Sequence, residues 1–227
     1  MSEEPQEVVP KIRSAFYIDG FNLYHAIDEL KEPFLKWISY WTLAQILIPQ
    51  KTEILVSVIW CTANRKDDYN KSVRHRAMRK AQKLHDVLVK TGHFVSDDRS
   101  CHSCGNTWKH PTEKEGDINV AIHLIRDGFR NIYDHAYLVT ADSDQLATVR
   151  MFKEEFPDKK ITIVAPPNRP RSEALHEESG KNTISLNKNH LEKSIMDRMI
   201  IKGDQSVRRP DEYNPPEGWV HPKNRQK

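Results

Sequence analysis

The sequence predicts an α/β fold in which a doubly wound, mostly parallel sheet carries helices on both faces. Short apolar runs such as "AFYI" and "ILVSVIW" alternate along the chain with segments of helical periodicity. Buried parallel strands are short apolar runs, and the helices that connect them cover the sheet. Acidic residues follow several predicted strands directly, and the carboxyl edge of such a sheet is where ligands bind.

The 227 residues are enough for one domain. We assign residues 1–13 to a flexible amino terminus, 14–201 to the domain and 202–227 to a loosely ordered tail rich in proline and charge. The 35 basic and 32 acidic residues nearly balance, so net charge alone requires no polyanionic partner. Three cysteines and a start, "MSEEPQEVVPKIRS", without an apolar segment predict a cytoplasmic protein with no membrane span.

The first half of the chain contains two predicted strands and three helices. In chain order these are a strand at Ala15–Ile18, a helix in "FNLYHAIDEL", a short helix "WTLAQILI", a strand at Glu53–Cys61 and a long helix from Asp68 to Lys90. Asn22 is predicted to cap the first helix, because its side-chain oxygen can accept a free N–H of the first turn.

The second half continues the alternation after a short strand, "HFV". Residues 96–116 are predicted to form an irregular, polar loop that carries a CxxC motif. The helix "DINVAIHLIRDGF" follows, with Ile118, Ala121, Ile122 and Ile125 predicted on one face. The remaining elements are the strand "AYLVT", the helix "DQLATVRMFKEEF", the strand "KKITIVAP", the helix "RSEALHEES", the strand "TISL" and the helix "NHLEKSIMDRMI".

Four acidic residues are placed by this pattern at the carboxyl edge of the sheet. Asp19 ends the first strand, Asp142 and Asp144 follow "AYLV", and Asp117 opens a helix after a glycine. Converging carboxylates repel one another unless a cation lies between them, and hard oxygen ligands suit Mg²⁺ or Mn²⁺. Such an ion activates water for phosphodiester hydrolysis. Alternatively, Asp117 and Asp142 are acids favoured at helix amino termini, Asp144 is a helix cap, and Asp19 is a turn residue.

The densest basic stretch, residues 65–83, is the predicted binding surface for an RNA backbone. Its candidate phosphate ligands are Arg74, Arg76 and Arg79. Phe21 and Tyr24 near the acidic residues would stack on bases, in either single-stranded or structured RNA. The alternative is a solvated helix face with no ligand.

The CxxC motif predicts a possible zinc site. Cys101 and Cys104 have the spacing of zinc ligands, although a second CxxC pair is missing. His93, His102 and His110 are the candidates to complete the site, with His110 preferred as the third ligand. Free thiols in a flexible loop, or a redox pair, are the alternatives.

Three segments, "FYIDGFNLY", "EKEGDINVAIHLIRD" and "AYLVTADSDQ", together resemble the NYN domain. The resemblance runs from about Ala15 to Val164 and implies a PIN-like fold and a metal-dependent ribonuclease. It implies a catalytic acidic cluster of Asp19, Asp117, Asp142 and Asp144, with the first three holding the metal. Asn22 matches the family's polar companion residue and Ser143 the residue between the paired acids, so that both would contact the scissile phosphate.

One position departs from the family's pattern. His123 stands near the place where many relatives carry a further acid, and Asp127 follows a turn later. His123 is a candidate ligand, general base or packing residue. If the acidic site has decayed, the protein would be a non-catalytic RNA-binding regulator.

Some bacterial relatives are instead labelled NADH-dependent monooxygenases of a hydroxylated pyridine, 6-hydroxy-3-succinoylpyridine, in nicotine breakdown. The "GDINVAIHLIRD" segment resembles that subgroup more closely, and it implies a small aromatic acid as substrate. The sequence has no GxGxxG, P-loop or GxSxG motif that would identify a dinucleotide, nucleotide or serine-hydrolase site. A homodimer is possible under either function.

Overall fold

A seven-stranded sheet forms the centre of the protein in the computed structural model, which describes residues 10–64 and 68–225. The strand order is β4-β3-β2-β1-β5-β6-β7, and every neighbouring pair is parallel except β3 and β4. The strands are β1 Ile12–Asp19, β2 Glu53–Asn64, β3 Leu88–Ser100, β4 Thr107–Lys114, β5 His135–Val139, β6 Lys160–Ala165 and β7 Thr183–Ser185. The strand order reverses between β1 and β5, which makes this pair the switch point of the sheet.

Within the described residues, seven α-helices cover the two faces of the sheet. They are α1 Gly20–Asp28, α2 Tyr40–Leu47, α3 Tyr69–Leu84, α4 Gly116–Phe129, α5 Leu146–Glu155, α6 Glu173–Glu178 and α7 Lys188–Lys193. Successive residues of β1 enter different cores: Phe16 and Ile18 pack with α1, α2, α3 and α7, whereas Ala15 and Tyr17 pack with α4, α5 and α6. The predicted doubly wound α/β fold is therefore confirmed.

The predicted helix from Asp68 to Lys90 is wrong in its last turn. The helix α3 ends at Leu84, Asp86 adopts a left-handed conformation with φ of 62°, and β3 begins at Leu88. The run "VLV" fits a helix face and a buried strand equally well, and pairing of β3 with β2 decides for the strand.

The predicted irregular loop at 96–116 is also wrong. Most of it belongs to the antiparallel hairpin of β3 and β4, in which Ser100 pairs with Thr107. Cys101 and Cys104 lie in the turn at the tip, where the N–H of Cys101 donates to Asn106 O at 2.8 Å. The hairpin lies at the edge of the sheet, where backbone pairing does not require buried side chains, so no apolar alternation marks it.

The apolar face predicted for α4 is shifted. Ile118 and Ile122 are 61% and 55% exposed, and the residues that pack on the sheet are Val120 and Leu124. The two sets lie on different sides of the same helix, and contact with β1 and β2 selects the second set.

Parts of the predicted flexible amino terminus and of the predicted carboxyl-terminal helix form other elements. The strand β1 begins at Ile12, within the segment expected to be flexible, while residues 1–9 lie outside the described residues. The predicted helix "NHLEKSIMDRMI" ends at Lys193, and the hairpin of β8 (Met199–Lys202) and β9 (Gln205–Arg208) follows.

The expected loose tail is likewise folded onto the domain. A 3₁₀ helix at Asp211–Tyr213 places Tyr213 in the core with 8% exposure, and the Trp219 ring lies 5.6 Å from that of Phe34. The residues that make these apolar contacts are few and widely spaced in sequence. The prediction of a loose tail therefore rested on the proline and charge content of the segment. Within residues 10–64 and 68–225 no helix combines the length and the apolar character of a membrane span.

A buried polar network anchors the amino edge of the sheet. The Glu53 carboxylate accepts hydrogen bonds from the Ser14 hydroxyl at 2.5 Å and the Tyr137 hydroxyl at 2.9 Å. Its other oxygen lies 3.1 Å from Nδ1 of His135, whose Nε2 is 2.8 Å from the Thr162 hydroxyl. One carboxylate thus satisfies polar groups on β1 and β5.

Replacing Glu53 with alanine should lower the free energy of unfolding by about 3 kcal/mol, because three buried polar partners lose their acceptor. Urea denaturation monitored by circular dichroism measures the loss. The control is Glu177→Ala, whose partner Lys181 is 3.9 Å away and exposed, so that the change should stay within about 0.5 kcal/mol. Equal losses in the two variants would contradict a structural role for the network.

Candidate functional site

The predicted acidic residues lie around the switch point of the sheet. Ile18 of β1 pairs with Val139 of β5, so Asp19 and the segment that follows β5 emerge side by side. Asp19 continues the alternation of Ala15 and Tyr17 and therefore points toward the face covered by α4, where Asp117 lies in the first turn. We call Asp19, Asp117, Asp142 and Asp144 the acidic edge.

Asp19 is the most buried of the four acids, with 4% exposure. One carboxylate oxygen accepts the Asn22 N–H at 3.0 Å, and the other accepts the Thr140 hydroxyl at 3.1 Å. The pKa of Asp19 is raised from its usual 3.8 to about 6, chiefly by burial. The nearby charges of Asp117 and Asp142 also raise it, whereas the two hydrogen bonds lower it.

Asp19, and not Asn22, is therefore the cap of α1, which corrects the sequence prediction. The Asn22 side-chain oxygen accepts the Ala141 N–H at 3.0 Å instead. Asn22 thus holds the segment after β5 against α1, which positions both halves of the acidic edge.

The cap assigned to Asp144 is also wrong. The carboxylate of Asp142 accepts the Asp144 N–H at 3.0 Å and begins a 3₁₀ helix at Ser143–Gln145, after which α5 starts at Leu146. Ser143 and Asp144 are exposed at this turn. The capping role that was expected of Asp144 belongs to Asp142.

Gln145 is a site residue that the sequence interpretation missed. It is 2% exposed, donates from its amide nitrogen to the Asp117 carbonyl oxygen at 3.1 Å, and accepts the Thr148 hydroxyl at 2.9 Å. It therefore joins the start of α4 to the turn that carries Asp142. The available signal was its position directly after "ADSD". A polar residue at the start of an amphipathic helix can form hydrogen bonds either within that helix or with a neighbouring element.

Electrostatic repulsion within the acidic edge is substantial. Partial burial and the charges of Asp142 and Asp144 raise the pKa of Asp117, so the repulsion reaches α4. Within the part of the chain that the structure describes, none of the four acids forms an ion pair with a Lys, Arg or His. Uncompensated carboxylates are the donor chemistry that binds hard divalent cations.

The described side chains nevertheless contain no group of three or more His, Cys, Asp or Glu residues arranged to hold a metal ion. Mg²⁺ fits this arrangement in chemical terms, because it keeps several waters and takes only one or two protein carboxylates. Of Asp19, Asp117 and Asp142, one or two would bind the ion directly and the rest would bind its waters.

The charges that act on His123 are not those of the acidic edge. Burial, Arg126 and Lys90 lower its pKa, and Asp127 opposes them. Its Nδ1 is buried with no hydrogen-bond partner in the described part of the chain. Asp127 is itself committed to Arg126 at 2.6 Å and to the Tyr17 hydroxyl at 3.1 Å. These contacts favour the packing interpretation for His123.

The three arginines of α3 do not act as one group. Arg74 pairs with Glu212 at 2.9 Å and lines a cavity beside α1, whereas Arg76 and Arg79 do not line it. Burial and the neighbouring Arg76 lower the pKa of Arg79. Arg74 is therefore the arginine closest to a ligand site.

The described side chains provide no set of zinc ligands around Cys101 and Cys104. Cys104 is exposed at the hairpin tip, and hydrogen bonds from Cys104 and Ser103 lower the pKa of Cys101. The side chain of His110 lies outside the description, although its backbone pairs with Asp97 in β4. Zinc binding stays a prediction.

A cavity of about 100 Å³ lies between α1, α3 and the carboxyl-terminal segment. We call it the aromatic cavity; its rings belong to Phe21, Tyr24, Tyr40, Trp60 and Tyr213. Gly20, which directly follows Asp19, also lines it, and a Cβ there would collide with the Cys61 carbonyl oxygen and the Trp60 indole. The sequence interpretation included Phe21 and Tyr24 and missed the other rings, which come from distant segments.

Comparison with known proteins defines the class of protein more firmly than its activity. No family model matches the chain. A crystal structure of a protein of unknown function from Vibrio parahaemolyticus superimposes with a TM-score of 0.52 and 18% identity, over 78% of this chain and 94% of that one. The chain is thus a doubly wound α/β protein with an acidic switch point.

One curated protein is similar in sequence, namely 6-hydroxy-3-succinoylpyridine 3-monooxygenase HspA of Pseudomonas putida. It is 25% identical over 193 residues, which cover 68% of this chain and 60% of that protein. The chain thus spans about 60% of the length of a distant relative that is an enzyme by name.

Replacing Asp19 with asparagine should stabilise the protein at pH 7 in EDTA by roughly 1–3 kcal/mol. Between pH 3.8 and about pH 6 the folded state binds more protons than the unfolded state, so stability falls as the pH rises through this window. An amide caps the helix equally well and carries no charge. Urea denaturation at pH 4 and pH 7 should show the gain only at the higher pH.

A control variant should change the stability at pH 7 in the opposite direction. Arg13 lowers the pKa of Asp134 to about 2, so Asp134→Asn should destabilise the protein at pH 7. A loss of stability in Asp19→Asn at pH 7 would contradict the strain assigned to the buried charge.

Proposed function

We propose that the protein is a metal-dependent hydrolase of the NYN/PIN-like type that cleaves phosphodiester bonds in single-stranded RNA. The observation that carries the proposal is the mutual repulsion of Asp19, Asp117 and Asp142 around the switch point, where the first two have a raised pKa and none of the three is ion-paired among the described residues. Repulsion of this kind is relieved by a divalent cation, and phosphate oxygens are the usual further ligands of that cation.

The residues of the acidic edge take distinct roles. Asp19, Asp117 and Asp142 would hold Mg²⁺ or Mn²⁺, which when bound supplies an activated water and neutralises charge on the phosphate. Asp144, exposed two residues after Asp142, would orient the attacking water. The exposed Ser143 hydroxyl and the free amide nitrogen of Asn22 are the donors for the scissile phosphate, since the Asn22 oxygen is already bound to Ala141.

Basic and aromatic groups beside the acidic edge support an RNA substrate. Arg74 lies at the aromatic cavity, and the basic surface of α3 continues away from it through Arg76. A basic helix neutralises backbone phosphates without reading sequence, so binding should weaken steeply with salt.

Asp142→Asn should reduce Mn²⁺-dependent cleavage of a labelled single-stranded RNA by roughly 100-fold or more, because a neutral amide is a poor ligand for a hard cation. Gel analysis of single-turnover cleavage measures the rate, and EDTA should abolish it. Asp204→Asn, in the turn between β8 and β9, is the matched control and should cleave at the wild-type rate. Full activity in Asp142→Asn would contradict the proposed site.

A second candidate function is the NADH-dependent monooxygenation of a hydroxylated pyridine. The specific observation in its favour is the 25% identity to HspA, which is named a 6-hydroxy-3-succinoylpyridine 3-monooxygenase. The aromatic cavity has rings and cationic groups that suit a small aromatic acid. NADH and the substrate would then take the place of RNA and the metal.

Oxygen-dependent NADH consumption separates the two functions. Under the hydrolase proposal, the purified protein should consume no NADH above background with a panel of hydroxypyridine carboxylates, with or without added flavin. The measurement is absorbance at the NADH band together with oxygen uptake. Substrate-dependent consumption that survives in Asp142→Asn would establish the second function in place of the first.

A further inference from the structure

We propose that the aromatic cavity is a binding site for a planar aromatic ring that carries an anionic group. A nucleotide and a hydroxypyridine carboxylate share this chemistry. The identification of the ligand as one nucleotide of the RNA substrate rests on the proposed function, whereas the site itself does not.

The location of the cavity favours a ligand that also reaches the acidic edge. Gly20 and Phe21 follow Asp19 directly, and Thr62 and Ala63 extend β2 beyond the Cys61 partner of Asp19. The cavity therefore opens at the same carboxyl edge of the sheet as the acids, where α/β proteins bind ligands.

Aromatic surface is left uncovered in the cavity. Phe21 and Tyr24 on α1 are 47% and 37% exposed. Tyr40 and Trp60, which are buried, form an edge-to-face pair with ring centroids 5.2 Å apart, and Tyr213 of the carboxyl-terminal segment also lines the cavity. Exposed rings above a preformed aromatic floor are the surface on which a planar ring stacks.

The charged groups of the cavity are all cationic. Lys36, Lys71 and Arg74 line it, and no carboxylate of the described residues does. His75 on the same wall is neutral at pH 7, because burial and then Arg79 lower its pKa to about 4. Each of the three cations also pairs with a carboxylate beside the cavity, namely Lys36 with Asp28, Lys71 with Asp68 and Arg74 with Glu212.

Lys71 is the cation most available to a ligand. Its ammonium lies 3.6 Å from the exposed Asp68 carboxylate, which is a long contact of the kind that contributes little in water. Arg74 is held in place by Glu212 at 2.9 Å, and Lys36 lies 4.8 Å above the Tyr24 ring. The geometry thus places the anion of the ligand toward Lys71 and Arg74, with its ring against Phe21 and Tyr24.

Calorimetric titration of the full chain in EDTA tests the proposal without catalysis. Adenosine 5′-monophosphate or 6-hydroxynicotinate should bind at least roughly tenfold more tightly than adenosine, which lacks the anion, and ribose 5-phosphate, which lacks the ring. The tighter of the first two identifies the source of the ligand. Equal binding of adenosine and its monophosphate, or no binding of either anion, would overturn the proposal.

Two pairs of matched variants locate the binding site. Lys71→Gln should weaken binding of the preferred anion roughly tenfold, whereas Lys153→Gln, a lysine of similar exposure 3.5 Å from Glu178, should not change it. Tyr24→Leu should also weaken binding, whereas Tyr69→Leu, an exposed tyrosine outside the cavity, should not. Equal effects within either pair would refute the assigned contacts.

The outcomes separate this site from the proposed hydrolysis. If nucleotides bind through Lys71 but RNA is not cleaved with Mn²⁺, the aromatic cavity is confirmed and the hydrolase proposal fails. If RNA is cleaved while no aromatic anion binds, the cavity proposal fails alone.

Discussion

The burial of one carboxylate, that of Asp19, determines how the rest of the site is arranged. It ends β1, caps α1 through the Asn22 N–H and accepts the Thr140 hydroxyl beyond β5. Three elements therefore meet at one charged group in a place where water does not solvate it. The hydrogen bonds lower the pKa of Asp19 and burial raises it, and burial prevails. The surrounding acids add to the free-energy cost of burying Asp19, so the acidic edge lowers the stability of the fold, as functional sites commonly do.

The position of the acids at the sheet edge was predictable because it follows from strand ends alone. Parallel strands bring their carboxyl ends together whatever the loops between them do, so Asp19 and Asp142 could be placed without tertiary information. The roles within the edge were not predictable in this way. Whether Asp19 or Asn22 caps α1, and whether Asp142 or Asp144 caps the next turn, depends on backbone angles that differ by one or two residues.

The remaining errors share a cause, which is that local composition competes with long-range pairing. The polar segment at 96–116 is held in a hairpin by backbone hydrogen bonds, and the tail is held by isolated contacts such as Tyr213. Neither leaves a periodic pattern in the sequence. The aromatic cavity was invisible for the same reason, since its wall combines α1, the end of β2, α3 and the tail.

The charge distribution at the carboxyl edge bears on the choice between the two functions. Acidic groups gather on the α4 side of Asp19, and cationic groups gather in the cavity on the α1 side. A small aromatic acid would bind in the cavity, but its binding would not relieve the repulsion among Asp19, Asp117 and Asp142. A nucleotide chain has one anionic group for each nucleotide, so it offers anions both to the cations of the cavity and to a metal ion at the acids. Only a substrate with repeated anions uses both halves of the edge, and this is the physical argument for placing hydrolysis of RNA ahead of pyridine oxidation.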